Sequence, residues 1–386
     1  TNGGYNTALG YVALGANTTG NNNTSIGAST LIANTTGADN VAVGQGALQD
    51  NTTASYNTAV GRDAMANNTT AAANTAVGHG AMFDNTTGAN NTGLGYLALG
   101  NNVDGANNVA VGRDALLANT SGHNNVGTGL QALYSNTTGS GNIGIGRDAL
   151  FANTTASNNT TVGYNSLKAN TTGADNTGLG KDALLSTTTG SNNVALGYDA
   201  GGDVTTGSNN FFIGKGAGTA TAPGGSPGGT ITTGNNEGVI GNGDISKINT
   251  QVSLTVASDE RDKTDFQPLS AGLNFVNELT PYTYYWDKRA KYVDWDANPD
   301  TDLNTIEHDG THKEDWMDIG FKAQDVIALE ESIGHNLTNK TNLVSNQTGD
   351  GKQYQLQYEK FVPILVKAIQ ELSAKVEELE SKLNGE

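Results

Sequence analysis

Asn40-Val41-Ala42-Val43-Gly44-Gln45-Gly46-Ala47-Leu48-Gln49-Asp50-Asn51-Thr52-Thr53-Ala54-Ser55-Tyr56 is followed at once by a second version of itself, Asn57-Thr58-Ala59-Val60-Gly61-Arg62-Asp63-Ala64-Met65. Working outward in both directions, the glycine recurs at Gly10, Gly27, Gly44, Gly61, Gly78, Gly95, Gly112, Gly129, Gly146, Gly163, Gly180, Gly197 and Gly214, thirteen times with a period of 17. An asparagine stands four residues before every one, from Asn6 and Asn23 to Asn193 and Asn210. The residue just before the glycine is Val, Leu or Ile in every unit except at Thr128. Ala then Leu or Met typically follow three and four residues after it, as in Ala47-Leu48 and Ala115-Leu116. A polar Asn-Thr-Thr-Gly stretch closes the unit.

A fixed period of this length marks a stacked-repeat architecture. The fold class read from it is mainly β: a β-solenoid or β-roll rod over residues 1–218. Each repeat is expected to supply two short strands of about four to five residues, separated by a turn after the glycine and by the Asn-Thr-Thr-Gly turn. Stacking at about 4.8 Å per coil makes thirteen coils about 60 Å long. The asparagine column reads as a ladder of side-chain amides bonding to the next coil or to a local turn. Each coil is expected to bury its Leu together with the Val or Ile before the glycine. That is too little to offset ordering 17 residues, so coils must stack, and identical chains are expected to pack against one another at the small Ala and Gly positions. Because the repeats are so alike, chains paired one repeat out of register would lose little, so the rod needs an external device to set register.

The wider composition fits. The chain has 386 residues, 52 glycines, no cysteine, a net charge of −18 and only 15% charged residues. Scarce bases argue against nucleic acid as a partner. No run approaches the about 18 apolar residues of a membrane span, so no membrane insertion is expected. Without cysteine there are no disulfides or thiolate metal sites, which suits assembly in a reducing cytoplasm. The chain opens at Thr1 rather than a methionine, as a fragment would, and the lack of a signal peptide carries no weight.

Near Ala257 the character changes. Residues 1–257 hold 7 basic and 13 acidic side chains, a net of −6, whereas the shorter 258–386 hold 13 and 25, a net of −12 and all three tryptophans. Between them, residues 219–257 read as a Pro/Gly-rich loop, then a glycine at Gly241 and loosely alternating neck strands from Ile245 to Val256.

The segment opening at Ser258-Asp259-Glu260-Arg261-Asp262-Lys263 continues with Leu279-Thr280-Pro281-Tyr282-Thr283-Tyr284-Tyr285-Trp286, Gly320-Phe321-Lys322-Ala323-Gln324-Asp325-Val326, Gln357-Tyr358-Glu359 and a closing Ala368-Ile369-Gln370-Glu371-Leu372. In this order these motifs resemble the endosialidase-type intramolecular chaperone domain, the self-cleaving C-terminal domain of many phage tail fibres and tailspikes, over nearly all of residues 258–386. The resemblance implies an α+β domain that trimerises, nucleates folding of the rod before it and is cut off by its own Ser and Lys, here Ser258 and Lys263. The residue types suit that chemistry, because a serine needs a base to take its proton and a lysine can serve once desolvated. Attack by Ser258 on the carbonyl of Ala257 places the scissile bond at Ala257-Ser258, where the composition changes. Other than this single self-cleavage no enzymatic activity, cofactor or metal is expected.

Val362, Leu365, Ile369, Leu372, Val376, Leu379 and Leu383 follow a 3-4-3-4-3-4 spacing, a heptad seam on a helix over about 361–383. Val or Ile at a with Leu at d favours two strands in an isolated parallel coil; the resemblance implies three.

Further sites carry less. The acidic loop at Asp294 to Asp302 has Pro299 and Thr305 where an EF-hand needs Gly and Glu. His308 and His312 lack a third ligand. Lys215-Gly216 breaks any phosphate-loop pattern, and the Asn-Thr-Thr sequons are explained by the turn. Arg62, Arg113 and Arg147, with Tyr11, Tyr96, Tyr164 and Tyr198, share the position after the glycine and read as an outward face suited to a receptor or glycan.

The expectation is therefore a homotrimeric, receptor-binding rod of the phage tail-fibre kind, assembled in host cytoplasm and carried on the virion, its partner a host-surface receptor or glycan. A bacterial adhesin is an alternative, since the repeat also resembles the heads of trimeric autotransporter adhesins, although the membrane-anchoring barrel that ends those is lacking here. An ice-binding solenoid is another, disfavoured by the mixed Thr, Val, Ile and Phe after the ladder asparagine.

Overall fold

A computed structural model describes residues 3–220, 230–242, 245, 258, 260–293, 301, 305–347 and 353–385. Ala257, most of the expected neck strands and most of the acidic loop lie outside the described residues. The chain divides into two units, Thr1–Ala222 with Ile231–Asn242, and Pro223–Thr230 with Gly243–Glu386.

The first unit is a parallel β-solenoid. Fourteen three-residue strands, from β1 (Thr7–Leu9) and β2 (Thr24–Ile26) through β13 (Phe211–Ile213) to β14 (Gly238–Ile240), form one sheet in chain order. Neighbours pair in parallel and one period apart, as Thr7↔Thr24 and Val109↔Val126. The last pairing, Phe211↔Gly238, skips ten extra residues. The sheet thus runs past residue 218, and Gly241 belongs to a fourteenth coil.

Two expectations need correction. Each coil has one strand, not two; the remaining residues form turns that also bond from coil to coil. Asp63 N–H donates to Gln45 O in the coil before, and Met65 N–H donates to Ala81 O in the coil after. Bonding alternately backward and forward accompanies left-handed residues at alternate positions, Asp63 at φ 54° and Met65 at φ 49°. The second correction concerns the core. From β2 to β12 the middle residue of the strand points inward and is small: Ala42, Ala59, Ala76 and Ala110 are fully buried, with Leu48, Met65, Leu99 and Leu116 packed on them, and only Phe212 of β13 and Val239 of β14 fill the place with a larger side chain. The Val, Leu or Ile before the glycine points outward, with Leu94, Ile145, Val162 and Ile213 all exposed. Period-two alternation over a three-residue strand allows only one inward position. The small residues are therefore inside, and the larger apolar column is the one left on the surface.

The glycine column is enforced by the stack. Gly112 has φ 132°, and a Cβ there would stand 2.5 Å from Gly129 O of the next coil. Two buried asparagine ladders run alongside. In the one read from sequence, Asn57 N–H donates to Asn40 Oδ1 (3.0 Å) and Asn57 Nδ2 to Ala71 O (2.9 Å). The second, at the head of the Asn-Thr-Thr-Gly turn, joins side chain to side chain: Asn51 Nδ2 donates to Asn34 Oδ1 at 2.8 Å and to Ala54 O at 3.1 Å. These amides satisfy the turn carbonyls that burial would otherwise leave without partners.

The second unit is α+β. Its elements are α1 (Leu273–Glu278), an antiparallel pair β15 (Tyr282–Tyr284) and β16 (Asp318–Gly320), α2 (Ala323–Ser332), a second antiparallel pair β17 (Ser345–Gln347) and β18 (Tyr354–Leu356), and α3 (Phe361–Asn384). Ala271, Phe275, Val326, Val344, Phe361 and Ile364 form its small core. Only the first two turns of α3 are buried there, at Phe361, Ile364 and Ala368.

Candidate functional site

A short 3₁₀ turn, Glu260–Asp262, follows Ser258 and folds the chain back; Lys263 N–H closes it on Glu260 O. The turn brings the ends of the two side chains together. Lys263 Nζ donates to Ser258 Oγ at 2.6 Å and reaches the Ser258 carbonyl at 3.4 Å. Both residues are exposed. An amine at this distance is placed to receive the hydroxyl proton once it is neutral. The five-residue spacing noted in the sequence is thus closed, while Ala257, which carries the carbonyl to be attacked, lies outside the described residues.

The other motifs come together elsewhere in the unit. Tyr282 pairs with Gly320 across β15 and β16, and Tyr358 OH accepts the N–H of Phe321 at 3.1 Å. Phe321 stacks on Phe361 with 5.2 Å between centroids. A Cβ at Gly320 would collide with the Tyr358 hydroxyl, which accounts for glycine there. Phe321 and Tyr358, from two separate motifs, therefore build one aromatic cluster with Phe361 at the root of α3. The tyrosine hydroxyl of Tyr284 is pushed above its ordinary pKa by burial first and then by the neighbouring Asp318 carboxylate.

Two carboxylates tie the helices in; Glu330 was not singled out from sequence, and Glu371 entered only as a member of the closing motif, with no role assigned. Buried Glu330 accepts the N–H groups of Val344 (2.7 Å) and Ser345 (3.1 Å) and the Ser345 hydroxyl (2.5 Å), fastening β17 to α2. Glu371 of α3 accepts the first N–H of α1, from Leu273, at 2.7 Å. It also pairs with Lys367 at 2.9 Å, and the hydrogen bonds from Lys367 and then Leu273 hold its carboxyl below the usual range. A lone glutamate in an acidic helix gives no sequence signal for such a cap.

His308 and His312 both meet the edge or face of Tyr292, and His308 Nδ1 lies 3.6 Å from Asp287. Among the described residues no group of three or more His, Cys, Asp or Glu could hold a metal ion. No helix among them is long and apolar enough to cross a membrane.

Residues 258–335 match the family model described as chaperone of endosialidase. The C-terminal region carries a chaperone-of-endosialidase domain. It is an intramolecular chaperone domain of the kind typical of phage tail fibres, here following a β-solenoid in the chain. The match begins at the serine of the Ser258–Lys263 pair. It ends before the Gln357-Tyr358-Glu359 motif and α3, which lie beyond the matched residues. No curated protein and no solved structure matches the chain.

Proposed function

We propose that the chain is a phage tail-fibre-type receptor-binding rod, homotrimeric, whose chaperone domain sets the register of three solenoids and then releases itself at Ala257-Ser258. The 2.6 Å contact between Lys263 Nζ and Ser258 Oγ, at the border of rod and chaperone domain, carries the reading. In the reaction the Ser258 oxygen bonds to the Ala257 carbonyl carbon as the peptide C–N bond breaks. The hydroxyl proton passes to Lys263 and from there to the departing amine. Water then hydrolyses the ester, restoring the Ser258 hydroxyl at a new N-terminus. A lysine works as such a base only where water is kept from its amine. Both groups are exposed in the single chain, so packing of chains would supply the desolvation and tie cleavage to assembly.

Two unpartnered apolar surfaces support self-association. One is the outward column before the repeat glycine. The other is the α3 seam, where Val362, Leu365, Ile369, Leu372, Val376, Leu379 and Leu383 are all exposed. The outward column after the ladder asparagine mixes Thr24 and Thr58 with Val41, Ile143 and Phe211, which does not favour an ice-binding face. Adhesion places the host receptor or glycan on the rod and the mature protein on the virion.

Purified wild-type protein should give two fragments on a denaturing gel, with the smaller beginning at Ser258. Ser258→Ala and Lys263→Met should each give one full-length band. A wild type that never divides, or a Ser258→Ala variant that still does, sinks the self-cleavage.

A further inference from the structure

Residues 1–257 contain seven basic side chains, and five of them occupy one column, the position directly after the repeat glycine. Thirteen acidic residues share the same stretch, so the clustering is no by-product of a generally basic surface. In the second half of the rod the spacing is strict. Arg113, Arg147, Lys181 and Lys215 are each 34 residues apart, with Leu130, Tyr164 and Tyr198 in the coils between. At about 4.8 Å per parallel strand, that puts one cation about every 10 Å along a line of about 30 Å.

The local contacts hold these cations outward. Arg113 lies 3.1 Å from Asp114, Arg147 3.5 Å from Asp148 and Lys181 3.5 Å from Asp182. The aspartate side chains are only 9–15% exposed, whereas their partners are 54–68% exposed. The carboxylates lie beneath and hold one nitrogen of each charged head, the Nε of Arg113 and Arg147 and the Nζ of Lys181, while the cationic side chains stay open to solvent. Tyr164 sits between Arg147 and Lys181, and Tyr198 between Lys181 and Lys215, with cation-to-centroid distances of 5.2 to 5.9 Å. Stacking on tyrosine and one ion pair use only part of a guanidinium's five donors. What remains is an ordered row of cationic donors already held in place, which lowers the ordering cost of binding.

We propose that this column binds a linear acidic glycan carrying a carboxylate or phosphate about every 10 Å, laid along the coil stack. The proposal rests on the reading of the rod as the adhesive part and names the chemistry of its ligand. Each contact is weak alone and screened by salt; four on one polymer act together.

The test uses the full chain, immobilised, with three probes: hyaluronan for carboxylates on alternating sugars, poly(glycerol phosphate) for phosphates, and dextran as the neutral polymer. At least one polyanion should be retained and dextran should not, and added salt should weaken retention. Which polyanion is held distinguishes carboxylate from phosphate. The variant Arg113→Gln/Arg147→Gln/Lys181→Gln/Lys215→Gln should lower retention by about tenfold or more, while Lys340→Gln, in the other unit, leaves it unchanged. Should the fourfold variant lose its melting transition, Arg147→Gln/Lys181→Gln replaces it, with a smaller but clear loss expected. Retention of neither polyanion by wild type, equal retention of dextran, or an unchanged column variant overturns the proposal. Binding to a panel of whole bacterial cells separates the two readings. A column variant that binds cells as well as wild type removes this column and leaves adhesion standing. Polyanion binding by a wild type that adheres to no cell keeps the column and removes adhesion.

Discussion

Each residue in the solenoid core is fixed by its counterpart 17 positions away, so a fault shows as a missing rung. The second asparagine ladder runs from Asn17 through Asn34, Asn51, Asn102 and Asn153 to Asn170 and stops, because Thr187 takes the next place. Asn170 Oδ1 and the Thr187 hydroxyl are buried there without partners. Thr187→Asn should extend the ladder and stabilise the rod by about 1 kcal/mol, read as a rise in the denaturant midpoint; a fall would mean that the added amide does not fit. The glycine column and the first asparagine column were legible in the sequence, since both are invariant in period and each needs one residue type. The inward and outward faces were not. Alternation cannot be phased from a three-residue strand whose inward residue is Ala and whose outward residues are Val and Leu. Nor does propensity suggest Leu and Met in left-handed turns, which only coil-to-coil bonding in both directions requires.

At the level of elements, the helix read over about 361–383 is α3, because apolar spacing at helical period survives without knowledge of any partner. Its exposed residues leave the helix short of burial in one chain. Ile369→Glu/Leu372→Glu should leave the solenoid folded but shift sedimentation to the single-chain value; an unchanged oligomer would assign α3 no part in assembly. The seam's own preference for two strands makes strand number the sharper question. The cap that Glu371 places on α1 is pH-sensitive. Its carboxyl is favoured as carboxylate in the folded unit, by Lys367 first and Leu273 second. The contribution is present above the ordinary glutamate pKa of about 4.3 and is lost as pH falls through the lowered folded value. The thermal stability of the second unit should therefore fall on acidification, and Glu371→Gln should flatten that dependence; identical profiles would contradict the role.

For the whole molecule, the sequence carried the division of labour. A repetitive rod has near-degenerate registers, and a charged, aromatic-bearing domain follows it at the point where a serine and a lysine meet. The end of the solenoid was less legible, because ten extra residues before β14 interrupt the period while the pairing continues. The central claim is that the chaperone domain assembles three rods and is then cut away. Native mass spectrometry of the purified protein tests it most directly. The account predicts a complex whose mass is three chains ending at Ala257, with three-chain uncut complexes when Ser258 is replaced by alanine. A stable single chain or dimer of full-length protein would contradict it.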